Sequence, residues 1–257
     1  MSILFDVSDH VARVTINRPE RMNAIDSASH AQLAEIWQEV EDNPDIRCAV
    51  LTGTGDRAFS AGADLKDDNG LSGIEYWKSM TQGGYAGISL RQMTTPVIAR
   101  VNGLALGGGL EMVLGCDIVI AADTARFAFP EAKVGRVPLD GGMVLLPRLI
   151  PRNIAMGMMM TGRMVPATEM IKYGLLNAVV PPGELDAETD AWVSDVLTAA
   201  PLSVRAIKAV ARQSAHLSPH NAYAKHTDEL EAALSSADAD EGVTAFREKR
   251  APVWTGR

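Results

Sequence analysis

The chain is poor in the residues that would tie it to a metal, an oxidising compartment or a nucleic acid. It has two cysteines, Cys48 and Cys116, in 257 residues. They form no C-x-x-C pair and neither neighbours a histidine cluster, which excludes a disulfide scaffold and a zinc site and fits a reducing cytoplasm. The five histidines, His10, His30, His216, His220 and His226, are scattered. The last three fall in a polar stretch of helical spacing and are expected on the surface, so no metal is implied. Positive charge is also short: 24 Lys and Arg against 32 Asp and Glu leave a net charge of −8. No basic patch stands out, which sets nucleic-acid binding aside. An anionic ligand must then be met by local cations and backbone N–H groups. No apolar run is long and clean: 104–122 is broken by Glu111 and Asp117 and is too interrupted to cross a bilayer. The first ten residues lack the basic and apolar regions of a signal peptide. A soluble cytoplasmic protein is the expectation.

What is present suffices for a core, with 47% hydrophobic residues. The first half alternates short strands and helices. Strands are expected over 3–7 and 11–16 as a hairpin around Ser8 and Asp9, then over 46–52, 97–101, 117–122 and 126–129. A helix over 27–41 carries Ala31, Leu33, Ile36, Trp37 and Val40 at helical spacing, with Ser27 as its N-cap. Residues 70–93 read as loop then helix, and 104–114 as a turn into a helix. This alternation is an α/β pattern. Beyond residue 141 the periodicity is helical, over 184–200, 201–214, 219–236 and 238–249, apart from a short strand at 177–180. No repeat at a solenoid period is visible.

Two near-motifs fail on context. Gly53-Thr54-Gly55-Asp56-Arg57-Ala58 fits the dinucleotide fingerprint, yet Phe59-Ser60-Ala61-Gly62 is a poor start for the helix that must follow. Ala58-Phe59-Ser60-Ala61-Gly62 is one substitution from a nucleophile elbow, but the only downstream histidines lie in the polar stretch at 216–226. A Walker A loop is absent.

Two glycine-rich turns remain, each after an expected strand: Ser60-Ala61-Gly62-Ala63-Asp64, and Asn102-Gly103 through Gly107-Gly108-Gly109-Leu110-Glu111. Small residues let a ligand approach the backbone, and a helix that starts at the triple glycine aims free N–H groups at it. Two such groups from different loops can hold an enolate oxygen. The alternative is a pair of ordinary turns. Glu111 and Glu131 likewise admit two readings: acids that complement a helix dipole, or a buried pair with raised pKa values dividing acid and base roles.

At these residues the chain resembles the enoyl-CoA hydratase/isomerase (crotonase) superfamily along essentially its whole length. The ordered set is Ile16-Asn17-Arg18-Pro19-Glu20-Arg21-Met22-Asn23-Ala24, Ala58-Phe59-Ser60-Ala61-Gly62-Ala63-Asp64-Leu65-Lys66, Val101-Asn102-Gly103 through Glu111, Cys116-Asp117, Phe127-Ala128-Phe129-Pro130-Glu131, Val134-Gly135, and Ala245-Phe246-Arg247-Glu248-Lys249-Arg250. Within it, Phe129-Pro130-Glu131-Ala132-Lys133, Met160-Thr161-Gly162-Arg163 and the tail 248–257 look most like carnitinyl-CoA dehydratases.

The resemblance implies a spiral of ββα units over 1–195 carrying the CoA and active sites, and a helical trimerisation region over 196–257, with trimers pairing into hexamers. It implies an acyl-CoA substrate and no cofactor, coenzyme A being carried by the substrate. The oxyanion-hole positions fall on the N–H groups of Ala63 and Gly108, and the catalytic glutamates on Glu111 and Glu131. Glu111 would deprotonate the water attacking C3 and Glu131 would protonate C2. CoA and substrate contacts fall on Ala61, Asp64, Leu65 and Lys66, with Arg21 and Met22 flanking. Phe246 and Lys249 of a neighbouring subunit would reach the nucleotide. Residues 70–93 would form the pocket lid, with Tyr76, Trp77 and Met80 as lining candidates. Two departures stand out: Leu139-Asp140 occupies a glycine-alanine position of many hydratases, narrowing the pocket and adding a carboxylate, and Glu20 replaces a common cation. An enoyl-CoA isomerase is the alternative enzyme, and a non-catalytic acyl-CoA-binding homologue the alternative of another class.

Overall fold

The computed structural model describes residues 1–67, 73–78 and 83–257. It opens on an antiparallel hairpin, β1 (Ile3–Ser8) and β2 (Val11–Ile16). The turn residues Asp9 and His10 both have positive φ, 49° and 67°, the mirror-image turn whose twist suits paired strands. Helix α1 (Ser27–Asp42) buries Leu33, Ile36, Trp37 and Val40. Its cap is Asp26, not Ser27. Asp26 has extended backbone geometry and accepts the Ser29 N–H at 2.8 Å, while Ser27 is the first helical residue and gives its N–H and hydroxyl to Asp67. Asp26 also faces Arg18, which favours a carboxylate over a hydroxyl at the cap.

The chain continues as β3 (Cys48–Gly53), β4 (Ala58–Ser60), α2 (Gly73–Lys78), β5 (Val97–Val101), β6 (Leu104–Leu106), α3 (Gly108–Gly115), β7 (Ile118–Ala122), β8 (Arg126–Ala128), α4 (Gly142–Leu149), α5 (Arg152–Thr161), β9 (Val165–Pro166), α6 (Ala167–Met170) and β10 (Ala178–Val180). Among the described residues of 70–93, the helical structure is α2 and a 3₁₀ turn, Tyr85–Gly87. The strands form a six-stranded sheet, β1-β2-β3-β5-β7-β10, and a four-stranded sheet, β4-β6-β8-β9. Three successive pairs, β3/β4, β5/β6 and β7/β8, place their first strand in the larger sheet and their second in the smaller. This is the expected spiral. Its repeat escapes the sequence because the turns of the spiral differ greatly in length: β3, β5 and β7 begin at residues 48, 97 and 118.

The central strands are parallel and covered on both faces, so they read as unbroken apolar runs. In β3, Ala49 and Leu51 face the cluster around Trp37, Phe59 and Phe127. Cys48 and Val50 face the other, where α7 (Leu185–Thr198) seals Ile98 and Ile120 with Leu185 and Val193. Cys48 is buried and Cys116 half-buried, and desolvation first pushes both thiols up to about 12, which makes them inert apolar fillers.

The C-terminal helices are α8 (Pro201–Ser214), α9 (Pro219–Tyr223), α10 (Asp228–Leu234) and α11 (Ala237–Glu248). The single helix expected over 219–236 is two. Thr227 adopts extended geometry and its side chain accepts the Leu230 N–H, so a second cap interrupts the periodic stretch. No described helix is long and apolar enough to cross a membrane.

Helix α8 is pinned to the core by a buried cation. Lys208 Nζ lies 2.7 Å from Asp117 Oδ2 and donates to the Thr95 carbonyl at 2.6 Å. Lys208→Met is expected to destabilise the fold by about 2–3 kcal/mol. That is less than a fully buried broken pair, because Asp117 keeps Arg212 and is partly wet. Thermal unfolding of the two proteins checks it, with Tm falling by several degrees.

Candidate active site

The site forms where two loops leave the smaller sheet side by side. The loop after β4 is laid along residues 22–25: Ala61 N–H donates to Met22 O at 3.0 Å, Ile25 N–H to Gly62 O and Asp64 N–H to Ile25 O, each at 2.9 Å. Ile25 bridges Ala63 in parallel, which turns the Ala63 N–H outward. The loop after β6 turns at Gly107, φ 54°, the N-cap of α3. Gly108 is the first helical residue, so its N–H has no acceptor inside the helix. Among the described residues, neither the Ala63 nor the Gly108 N–H has a hydrogen-bond partner. The loops touch: a methyl on Gly62 would stand 3.0 Å from Gly108 N.

Arg18 fastens this arrangement. Its guanidinium lies 3.0 Å from both Asp26 and Asp64 and donates to the Ala24 carbonyl at 2.6 Å. The Asp64 carboxylate also accepts the Lys66 N–H, and these partners hold it below its ordinary range. It therefore shapes the loop it sits in. Two buried asparagines do the same for the preceding turn. Asn23 and Asn102 both donate to Ala58 O, at 2.7 and 3.1 Å.

Three carboxyls stand close to the turn at Gly107, near enough for Asp140 and Glu131 to repel Glu111. Glu111, in the first turn of α3, is 3% exposed and accepts the Gly142 N–H at 2.9 Å. Desolvation, with repulsion from Asp140 and Glu131, lifts its pKa to about 8. Glu131 opens a 3₁₀ turn, Glu131–Val134, after β8. Its Oε1 sits so near Gly107 that a methyl there would stand 2.7 Å away. Its Oε2 is buried without a partner among the described residues, and burial raises its pKa. Asp140 is 5% exposed, accepts the Tyr76 hydroxyl at 2.9 Å, and is also raised by burial. No arginine or lysine is among the groups that shift any of the three. Gly107→Ala forces the methyl against Glu131 in a left-handed conformation. It is expected to lower kcat by about ten- to a hundredfold through misplacement of that carboxyl, in a steady-state assay.

The remaining candidates divide. Ala61 and Met22 are joined in the first loop, while Arg21, Leu65 and Lys66 stand exposed beside it. Leu139 is half-buried next to Asp140. Tyr76 reaches the site through Asp140, whereas Trp77 is 55% exposed. Met80 lies outside the described residues. Phe246 and Lys249 are exposed at the end of α11, which packs on α10 and on the tail. The residue missing from the sequence reading is Tyr85. It packs beneath Gly108, and the signal for it was the run of glycines at 83, 84 and 87 around it.

Two free N–H donors facing buried carboxyls with raised pKa values define an acid–base enzyme acting next to a carbonyl. The comparisons say which. Residues 6–257 match the family model described as enoyl-CoA hydratase/isomerase, and the chain belongs to that family. It is 38% identical over 255 residues to a carnitinyl-CoA dehydratase of Shigella flexneri, covering 96% of this chain and 95% of that one. It is 40% identical over 261 residues to an (E)-benzylidenesuccinyl-CoA hydratase of Thauera aromatica, covering 100% of both. The crystal structure of an enoyl-CoA hydratase from Mycobacterium tuberculosis H37Rv superposes with a TM-score of 0.91 at 35% identity, over 100% of this chain and 99% of that one. Hydratase or dehydratase chemistry on acyl-CoA thioesters is what these full-length relatives carry in their names.

Proposed function

We propose that this chain adds water across the C2–C3 double bond of an enoyl-CoA thioester and catalyses the reverse dehydration. The observation that carries the reading is the placement of Glu111 and Glu131 against the free N–H groups of Ala63 and Gly108. The thioester oxygen accepts from both N–H groups. Glu111 takes a proton from water as its oxygen bonds to C3. The π electrons move through C2 onto the thioester oxygen, where the two donors stabilise the enolate. The enolate collapses as Glu131 gives its proton to C2. Proton exchange through the pair resets the site, so its titration belongs to both groups.

The free Ala63 N–H, beside the exposed Lys66 and Arg21, supports entry of CoA along the first loop. Assembly as a homotrimer, or a pair of trimers, would let Phe246 and Lys249 of a neighbour reach the nucleotide. No cofactor beyond the substrate's own coenzyme A is required, and the cytoplasm is the compartment that suits a CoA enzyme with two free cysteines. A dehydratase of the carnitinyl-CoA kind is the nearest specific version. Isomerisation has one observation in its favour, the third buried carboxyl at Asp140, within reach of Glu111's field.

The test is loss of the enoyl-thioester absorbance of crotonyl-CoA and crotonobetainyl-CoA. Steady loss with either supports the hydratase reading. Silence with both, together with shift of a 3-enoyl-CoA double bond, would replace it by the isomerase.

A further inference from the structure

Residues 83–90 are more tightly built than a surface connection needs. Gly83, Gly84 and Gly87 have positive φ, and so does Ala86 at 52°. A methyl on Gly83 would stand 2.8 Å from Gly87 O, and one on Gly87 2.7 Å from Ala34 Cα. The Ala86 carbonyl accepts from Trp37 Nε1 at 3.1 Å, and the Ala86 N–H donates to His30 Nδ1 at 3.3 Å. Ser89 Oγ accepts the Tyr85 N–H at 2.7 Å and donates to the Asp140 carbonyl at 2.5 Å. Left-handed backbone at a residue other than glycine persists only where its surroundings enforce it, and it gathers at functional sites.

What this turn delivers is the Tyr85 side chain, 7% exposed. Its ring lies against Gly108, so close that a methyl there would stand 2.5 Å from Cε1 and Cζ. The His30 ring meets it edge-on with centroids 6.3 Å apart. Its hydroxyl is buried and has no hydrogen-bond partner among the described residues. A buried phenol ordinarily has one. The ring lies under Gly108, whose free N–H faces the site, and Ser89 ties the Tyr85 backbone to that of Asp140, which sets the side chain beside the acyl site. Glu131 Oε2 is in the same unpaired state, and there the missing partner is substrate or water.

We infer that the Tyr85 hydroxyl, with Asp140, selects acyl chains that carry a hydroxyl beyond the reacting carbons. A hydroxyl both accepts and donates. It takes the Tyr85 proton into its hydrogen bond and gives its own to the Asp140 carboxyl, which already holds Tyr76. A plain alkyl chain leaves Tyr85 buried and unpaired, and a site built to hydrogen-bond rejects a ligand that lacks the group. A carboxylate is excluded differently, by the charge of Glu111, Glu131 and Asp140, which no Lys or Arg offsets among the described groups that shift them. This selection rests on the acyl-CoA reading proposed above.

Isothermal titration of the full-length protein with pentanoyl-CoA, 5-hydroxypentanoyl-CoA and glutaryl-CoA, none of which can be hydrated, tests it. The hydroxy ligand is expected to bind on the order of tenfold tighter than pentanoyl-CoA, with glutaryl-CoA weakest. In Tyr85→Phe the preference disappears through loss of affinity for the hydroxy ligand, while pentanoyl-CoA binds as tightly as to wild type. Unchanged pentanoyl-CoA affinity is not what a merely loosened site would show. Equal binding of the first two ligands to the wild type, tightest binding of glutaryl-CoA, or a preference that survives in Tyr85→Phe would overturn the inference and leave the acyl-CoA reading standing. Failure of all three to bind would remove that reading and the inference with it.

Discussion

Glu111→Gln is expected to lower kcat for enoyl-CoA hydration by about a hundred- to ten-thousandfold, and Glu131→Gln by a similar factor. Both proteins should stay folded. The glutamine oxygen can still accept the Gly142 N–H that Glu111 accepts at 2.9 Å, and Glu131 Oε2 has no partner among the described residues to lose. Stability supplies an independent check on Glu111. Its pKa of about 8 in the fold stands above its ordinary 4.5. The native state therefore binds this proton more tightly than the unfolded chain. Its contribution is fully present below the unfolded value and is lost as pH rises through the folded one. Glutamine resembles the protonated acid at every pH. Glu111→Gln should thus match wild type near pH 4 and exceed it near pH 9 by a few kcal/mol, on the order expected for a carboxyl shifted by burial. Denaturant unfolding at the two pH values measures this. A variant that loses stability at high pH would mean that the Glu111 carboxylate is structurally paired in the resting protein, contrary to the burial that raises its pKa.

Gly108→Ala attacks the other half of the machinery. The added methyl would meet Tyr85 Cε1 and Cζ at 2.5 Å and Cδ1 at 2.8 Å. The ring is buried and held by the 83–90 turn, so the first turn of α3 must shift and carry the Gly108 N–H with it. Losing one donor to a developing oxyanion lowers kcat by about a hundred- to a thousandfold. The clash should also lower Tm, since overpacking of this kind destabilises by about 1–3 kcal/mol. Tyr85→Phe keeps the ring and the clash, so combining it with Gly108→Ala should not rescue kcat. Tyr85→Ala combined with Gly108→Ala makes room for the methyl and should recover part of it. Measuring kcat for the three variants separates a displaced donor from general loss of structure.

The hairpin, α1, the strands of the spiral and the helix at the triple glycine were legible because each follows a local rule. Strands buried on both faces read as apolar runs, and α1 shows a single buried stripe. The glutamates were legible as candidates because they interrupt apolar sequence at helix starts, but their proximity was not. Glu111 and Glu131 meet only because β6 and β8 are neighbours in the smaller sheet, a tertiary fact with no local signature. The Asp26 cap was missed because Ser27 is an equally good capping residue, and Arg18, on the preceding loop, decides between them. The break at Thr227 was hidden inside a continuous helical period. Tyr85 was overlooked because a tyrosine among glycines suits an ordinary loop, and the partners that place it, Trp37, Ser89 and Asp140, come from three separate segments.

The central claim is that water is added at C3 while Glu131 protonates C2. Mass spectrometry of product formed from crotonyl-CoA in deuterated, ¹⁸O-enriched water tests it most directly. The expected product is 3-hydroxybutanoyl-CoA with the solvent oxygen at C3 and a single deuterium at C2, at a rate that falls with either glutamate replaced. Deuterium appearing at C4 with no solvent oxygen incorporated would contradict it and make the enzyme an isomerase.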